Sequence, residues 1–131
     1  MIKQPEDMVR GLPNCGVVAL SVATEFSYGY VWKALSVNKG NAWKGRMYLI
    51  DMIDFLVRTG VGFKAEELKT KRVLYRWVDE NTRPNQTYIV RVGGHYVTVR
   101  NGRVVDQHEE SDIEDYSWKN KRVTDVIRIK N

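Results

Sequence analysis

The sequence predicts an α+β fold, with helices in the first part of the chain and an antiparallel sheet in the second. Between Cys15 and Glu80 the chain has a long, nearly continuous apolar run and then segments with apolar residues three and four positions apart, both typical of helices. From Tyr88 onward they alternate with polar residues, which is typical of strands. The pair Asn101-Gly102 between two alternating runs indicates a tight hairpin. Helices followed by strands is an order typical of the α+β class.

The composition predicts one globular domain over residues 1–131. The chain has 131 residues, of which 43% are hydrophobic and 28% charged, which suits a single core. No apolar run approaches the roughly 20 residues that span a bilayer, and the first residues lack the apolar segment of a signal peptide. The single cysteine, Cys15, suits a reducing compartment. We therefore expect a cytoplasmic protein with no membrane partner and no cofactor.

Four helices are predicted. The first begins at Cys15, directly after Asn14, which is a good N-cap residue. Its residues are apolar on almost every face, so we expect it to be buried in the core. The segment Tyr28-Gly29-Tyr30 is expected to break or redirect this first helix. The remaining helices are predicted at residues 31–35, 47–58 and 73–80, with Gly60 ending the third.

Five strands are predicted, at residues 61–64, 88–92, 95–100, 103–106 and 122–129. The acidic stretch at residues 109–115 is predicted to be a loop before the last strand. It also predicts substrates that carry positive charge near the bond that is cut.

The turn sets the register of the hairpin. Because it has two residues, Arg100 pairs with Arg103, and the pairs farther along follow in step. His95 and Asp106 then become diagonal neighbours, about 7 Å apart at the backbone and within side-chain reach. A histidine beside a carboxylate on a rigid hairpin has the chemistry of half a hydrolase site.

Cys15 is the candidate nucleophile that would complete this site. Free N–H groups and the dipole at the start of a helix favour an anion, and this lowers the pKa of a thiol. His95 is then the candidate general base and acid, and Asp106 orients its ring. Each residue also has a purely structural explanation. Cys15 could be a small apolar residue of the core, His95 a hydrogen-bonded core residue and Asp106 a residue at the end of a strand. The three residues together favour catalysis over these alternatives.

Three runs resemble those of papain-like cysteine peptidases of the compact bacterial and phage types, such as the peptidase domains of bacteriocin-processing transporters. They are Asn14-Cys15-Gly16-Val17-Val18-Ala19-Leu20, Gly94-His95-Tyr96-Val97-Thr98-Val99 and Val105-Asp106. The resemblance covers most of the chain. It implies a papain-like fold in which the nucleophile helix packs on a C-terminal antiparallel sheet. It also implies thiol-mediated peptide cleavage by Cys15, His95 and Asp106.

One position departs from the family's pattern. The family usually has a glutamine six residues before the nucleophile, where it completes the oxyanion hole, and this chain has Val9 there. The candidate substitutes are the side-chain amides of Gln4 and Asn14, although N-capping competes for Asn14. If neither serves, the backbone N–H of Cys15 acts alone. The loss of one oxyanion donor typically costs about 10²–10³ in rate.

Two function classes follow. The first is a cysteine hydrolase that cleaves a peptide or isopeptide bond of a protein substrate through an acyl-enzyme, although amidase or transglutaminase chemistry uses the same residues. The second is a non-catalytic binding module for a protein or polyanion. The net charge of +5, with basic clusters at residues 69–76 and 119–122, suits a polyanion, although an ordinary solvated basic surface is the favoured explanation of the charge. Nucleic acid is the less favoured partner, because the chain has no helix-turn-helix, zinc-finger or RNP-like pattern.

Two further features leave alternatives open. His108 would join His95, Asp106 and Glu109 in a metal site if the hairpin extends, but a solvent-exposed residue is favoured and no metal is expected. Of the four tryptophans, Trp32 and Trp77 fall on apolar helical positions and are predicted to lie in the core. One of the remaining two, Trp43 or Trp118, is a candidate wall of a substrate cleft.

Overall fold

In a computed structural model, which describes residues 1–130, the chain forms four α-helices and a six-stranded antiparallel sheet. None of the helices in this range is long and apolar enough to cross a membrane. The four helices and the antiparallel sheet confirm the predicted α+β class. The helices are α1 (Cys15–Thr24), α2 (Tyr28–Ser36), α3 (Leu49–Arg58) and α4 (Leu74–Asn81). The strands are β1 (Phe63–Glu66), β2 (Thr87–Val92), β3 (His95–Arg100), β4 (Arg103–Val105), β5 (Glu110–Asp112) and β6 (Val123–Ile129).

The sheet has the strand order β1-β6-β2-β3-β4-β5. The β3–β4 hairpin has the predicted register, with Arg100 opposite Arg103. The φ angles of Asn101 and Gly102 are 51° and 74°, in the left-handed region that a type I′ turn requires. The strand β4 ends one residue earlier than predicted, so Asp106 is the first residue after it.

The sheet is the middle layer of three, because alternate residues of its strands pack against helices on opposite faces. Ile89 and Tyr96 belong to the apolar cluster formed with α1, α2 and α3. Their neighbours Val90 and Val97 belong to a second cluster, formed with α4. This alternation is expected of strands that are buried on both faces.

The helix α1 is the most deeply buried helix of the first layer, as its apolar composition predicts. Residues 16–23 are all buried. Inside the interface with the sheet, the Thr98 hydroxyl of β3 donates a hydrogen bond of 2.9 Å to the Ala19 carbonyl. Cys15, the first residue of α1, lies beside the start of β3, next to the backbone of Tyr96.

The start of α2 differs from the prediction. Tyr28-Gly29-Tyr30 does not interrupt a helix but forms the first turn of α2. The Ser27 hydroxyl accepts a hydrogen bond from the Tyr30 N–H, and the Asp7 carboxylate accepts from the N–H groups of Tyr28 and Gly29. A serine N-cap and a carboxylate at the first turn are enough to begin a helix at residues of modest helix propensity.

Helix α3 begins two residues later than predicted and ends as predicted. Tyr48 is extended, and its N–H is capped by the Asp51 carboxylate at 2.9 Å. At the other end Gly60, with φ 72°, donates to the carbonyl of Val57, and Val61 donates to that of Leu56. These two bonds form a Schellman motif, for which glycine is the usual residue.

The acidic stretch at residues 109–115 is not a loop, and that prediction was wrong. It forms β5 and a short 3₁₀ helix, Ile113–Asp115. Strand β5 is a sheet edge on which Ser111 pairs with Val104 and Glu110 forms a 3.2 Å ion pair with Arg103. Charged residues are common on edge strands because they discourage pairing with another chain, and they hid the strand from the alternation pattern.

Two glycines let the loop between α2 and α3 lie directly against the start of α1. A Cβ on Gly45 would lie 2.9 Å from Cβ of Asn14 and 2.9 Å from a ring carbon of Trp32. A Cβ on Gly16 would lie 2.6 Å from Cγ of Met47. The two residues that flank Cys15 therefore have no free space on the side that faces this loop.

We expect Gly45→Ala to lower the free energy of unfolding by about 2–4 kcal/mol, since the φ of 106° is strained for alanine and its Cβ has no room. Gly40→Ala, in the same loop and with open space around it, is the control and should change the stability by less than about 1 kcal/mol. Urea denaturation measures both. Equal stabilities would show that the loop does not pack on α1 as described.

Candidate active site

The carboxylate of Asp106 accepts four hydrogen bonds although its residue is only 3% exposed. One oxygen accepts from Nε2 of His95 at 2.9 Å and from the hydroxyl of Tyr116 at 2.6 Å. The other accepts from the backbone N–H groups of His108 and Glu109, at 2.7 and 2.8 Å. A buried charge is tolerated when its lone pairs are satisfied in this way.

These bonds decide the ionisation of Asp106. Burial by itself would raise the pKa of the carboxyl from 3.8. The hydrogen bonds from His95, Tyr116 and the two backbone groups outweigh burial and lower the pKa to about 2. Burial and the neighbouring Asp106 raise the pKa of Tyr116, so its hydroxyl stays protonated and remains a donor. At neutral pH Asp106 is therefore an anion that only accepts hydrogen bonds.

His95 is oriented by this anion. Because Asp106 only accepts, the proton on Nε2 belongs to His95, and Nδ1 is the ring nitrogen left for another partner. Burial by itself would lower the pKa of His95, but the hydrogen bonds with Asp106 and with Cys15 raise it to about 9. The ring also packs against Trp118, with centroids 5.0 Å apart, and stacks on His108 at 6.1 Å.

Cys15 is half-buried, and its thiol lies next to the His95 ring, close enough for each group to shift the pKa of the other. Burial by itself would raise the thiol pKa. The neighbouring His95, through hydrogen bonding and its positive charge, and the backbone N–H groups of Tyr96 and Gly16 favour the thiolate, and together they outweigh burial and lower the pKa. A lowered thiol pKa beside a raised imidazole pKa favours transfer of the proton from Cys15 to His95. The structure thus brings Cys15, His95 and Asp106 together in the predicted order.

The two side-chain amides considered for an oxyanion site are engaged elsewhere. Asn14 is buried, and contrary to the prediction its side chain does not cap α1. Its Nδ2 instead donates to the Val9 carbonyl at 2.8 Å and to the Tyr28 hydroxyl at 2.7 Å. These two bonds use both of its N–H groups. Gln4 donates from Nε2 to the main-chain carbonyl of Asp106 at 2.9 Å. It also lines an open cleft of about 830 Å³ near the C-terminal end of α1.

The alternative metal site around His108 is not assembled. In the part of the chain that the structure describes, no three His, Cys, Asp or Glu side chains are placed to hold a metal ion. Asp106 already has four donors, and Glu109 accepts hydrogen bonds from Ser111 and Ser117. His108 is exposed, and its ring stacks on that of His95.

Sequence reasoning missed Tyr116, whose hydroxyl bonds the carboxylate that orients His95. It lies beyond the β3–β4 hairpin, so no register argument reaches it, and only its place in a polar stretch marked it as unusual. Trp118, one of the two tryptophans considered for a cleft wall, does lie against His95. Trp43 instead packs on Trp32, with ring centroids 4.6 Å apart. Trp77 is buried as predicted, and Trp32 is half-buried.

Comparison with known proteins adds no family to this geometry. A scan against protein families finds no match, and a search of curated proteins finds no similar sequence.

The low pKa of Asp106 makes the protein less stable in acid. A carboxyl whose pKa is about 2 when folded and 3.8 when unfolded contributes about 2 kcal/mol above pH 4, and this is lost as the pH falls through 2. We expect Asp106→Asn to flatten this part of the acid dependence of the unfolding free energy, measured in urea at pH 4, 3 and 2.

The control for this measurement is Asp79→Asn, because Asp79 is exposed and forms no ion pair or hydrogen bond within residues 1–130. Its curve should run parallel to that of the parent protein. If the Asp106→Asn curve also runs parallel, the carboxylate does not have the bonding described.

Loss of the Tyr116 hydroxyl removes one donor from a buried anion. We expect Tyr116→Phe to destabilise the fold by about 2 kcal/mol. Tyr96 is also buried, and its hydroxyl has no hydrogen-bond partner among the described residues. Tyr96→Phe should therefore change the stability by less than about 0.5 kcal/mol. Urea denaturation at pH 7 compares the two, and equal effects would contradict the role of Tyr116.

Proposed function

We propose that the protein is a cysteine hydrolase that cleaves a peptide or isopeptide bond through an acyl-enzyme. The observation that carries the proposal is the placement of Cys15 next to His95, whose ring the buried Asp106 carboxylate holds at 2.9 Å. A nucleophile, a base that contacts it and a third group that orients the base are the elements of nucleophilic acyl transfer. The resemblance of the Cys15 and His95 runs to papain-like peptidases supports the same reaction and a papain-like arrangement of the fold.

In this reaction the Cys15 thiolate attacks the carbonyl carbon, and a C–S bond forms as the π electrons move to oxygen. When the tetrahedral intermediate collapses, the C–N bond breaks and His95 gives its proton to the leaving amine. Water then loses a proton to His95 and attacks the thioester. The C–S bond breaks, the acid is released and the thiolate–imidazolium pair is restored. Asp106 stabilises the imidazolium each time it forms.

The start of α1 supports the attack step. Cys15 is the first residue of this helix, where backbone N–H groups lack helical acceptors and the dipole is positive. The backbone N–H of Cys15 is the donor that this position offers to an oxyanion.

A second candidate function is a non-catalytic binding module for a protein or polyanion. The engagement of the Asn14 and Gln4 amides favours it, because an acyl-transfer site with one oxyanion donor is expected to be slow. The reactivity of the thiol separates the two functions.

We expect Cys15 to react with iodoacetamide well below the ordinary thiol pKa of about 8.5, because its pKa is lowered by His95. In His95→Ala the hydrogen bond and the charge are lost while burial remains, so the thiol pKa rises. The second-order rate at pH 6.5 should fall by at least about tenfold. Since Cys15 is the only cysteine, mass spectrometry of the whole protein measures the rate directly.

His108→Ala is the matched control, because the His108 ring stacks on His95 but its side chain forms no hydrogen bond with the described residues. Its rate and pH profile should stay close to those of the parent protein. Slow labelling that does not depend on His95 would leave only the binding module. Release of p-nitrophenol from p-nitrophenyl acetate, with an acyl group retained on Cys15, would be the direct sign of acyl transfer.

A further inference from the structure

The two basic clusters of the sequence are joined in the structure. The segment before α4 and the segment before β6 lie side by side, linked by main-chain hydrogen bonds of 2.8–2.9 Å. Val123 donates to the carbonyl of Arg72, and Leu74 donates to that of Lys121. Residues that are about fifty positions apart in the sequence therefore form one surface.

The cations on this surface form what we call the basic strip, which consists of Lys71, Arg72, Lys121 and Arg122. All four residues are exposed. Arg72 is paired with Glu80 at 3.2 Å. The other three form no ion pair with any residue that the structure describes, and Arg122 instead donates to the carbonyl of Lys71 at 3.4 Å. The strip thus presents three uncompensated positive charges.

The strip adjoins the candidate active site. The Lys121 ammonium lies 5.8 Å from the centre of the Trp118 ring, and Trp118 lies against His95 at 5.0 Å. The Lys121 stem passes Gly93, where a Cβ would lie 3.7 Å from it. Gly93 and Gly94 form the turn that leads into His95. One tryptophan therefore separates the positive charge of the strip from the catalytic pair.

We propose that the basic strip binds an acidic segment of a polypeptide substrate on the Trp118 side of the bond that is cut. This rests on the proposed hydrolase function and names its substrate class. Charge complementarity beside a reactive site raises the local concentration of a substrate of opposite charge. A polypeptide is favoured over nucleic acid because the Trp118 ring already contacts His95 and Lys121, and binding of single strands usually needs open aromatic faces.

This substrate preference is the reverse of the one that the acidic stretch predicts from the sequence. The Glu109 carboxylate is directed at its own chain, where Ser111 and Ser117 donate to it. The Glu110 carboxylate is paired with Arg103. Glu109 therefore has its oxygens bonded within its own chain segment and Glu110 has a cationic partner, whereas Lys121, which lies beside Trp118, has no ion-pair partner among the described residues.

The test uses two affinity labels, bromoacetyl-tetraglutamate and bromoacetyl-tetralysine, together with neutral iodoacetamide. In each case the Cys15 thiolate displaces the halide and a C–S bond forms. We expect the glutamate label to react roughly tenfold faster than the lysine label at low ionic strength. The ratio should fall toward one at 0.5 M salt, because exposed charges are then screened.

The double variant Lys71→Glu with Arg122→Glu should lose this preference. The matched control is Lys33→Glu with Lys130→Glu, which changes the net charge equally at exposed positions away from the strip. The control should keep most of the preference. The iodoacetamide rate should not change in either double variant, because neither touches Cys15 or His95.

Equal loss of the preference in both double variants would overturn the proposal, since net charge alone would explain it. A second contrary outcome uses a 12-residue oligouridylate in fluorescence anisotropy. Binding that depends on the strip, without any preference between the peptide labels, would mean that the surface is for nucleic acid. Iodoacetamide reports separately on the proposed function. A sluggish thiol would count against the hydrolase, whereas the ratio of the two peptide labels judges only the strip.

Discussion

The buried charge of Asp106 is the constraint on which the site depends. An unpaired carboxylate at this depth would cost several kcal/mol, so the surrounding segments must supply donors. They come from the start of β3, from the turn after β4 and from the segment after the 3₁₀ helix. The hydrogen bond that each segment donates to the Asp106 carboxylate helps to hold that segment in place. The orientation of His95, and through it the ionisation of Cys15, follows from that arrangement.

The segment before α1 and the turn after β4 each donate a side-chain hydrogen bond to the main chain of the other. Gln4 donates to the main-chain carbonyl of Asp106, and Gln107 donates to the carbonyl of Leu12 at 2.9 Å. Residues 1–13 form no regular helix or strand, so such side-chain bonds hold them in place. The amide that the sequence offered as an oxyanion donor therefore has a structural task, which is to support the residue that orients the histidine.

Local patterns predicted most of the fold and brought three residues of the candidate site together, but not Tyr116. The Asn101-Gly102 turn set the register that brings His95 to Asp106, and the apolar run after Asn14 placed Cys15 at a helix start. Both depend on neighbours in sequence. The bond from Tyr116 to Asp106 and the capping of α2 by Asp7 depend on tertiary contacts, which periodicity does not report. Strand β5 was missed because it lies at the edge of the sheet, where its mostly charged residues do not alternate with apolar ones.

The sequence separations within the site affect how it assembles during folding. His95 and Asp106 are 11 residues apart on one hairpin, and hairpins form in about 1–10 μs. The bond that fixes α1 on the sheet, from Thr98 to Ala19, closes a separation of 79 residues, and such non-local contacts carry a larger loop-closure entropy. The histidine and its carboxylate are thus a local unit, while the thiol joins them only when the first helix docks. Activation of the thiol accordingly marks completion of the tertiary structure.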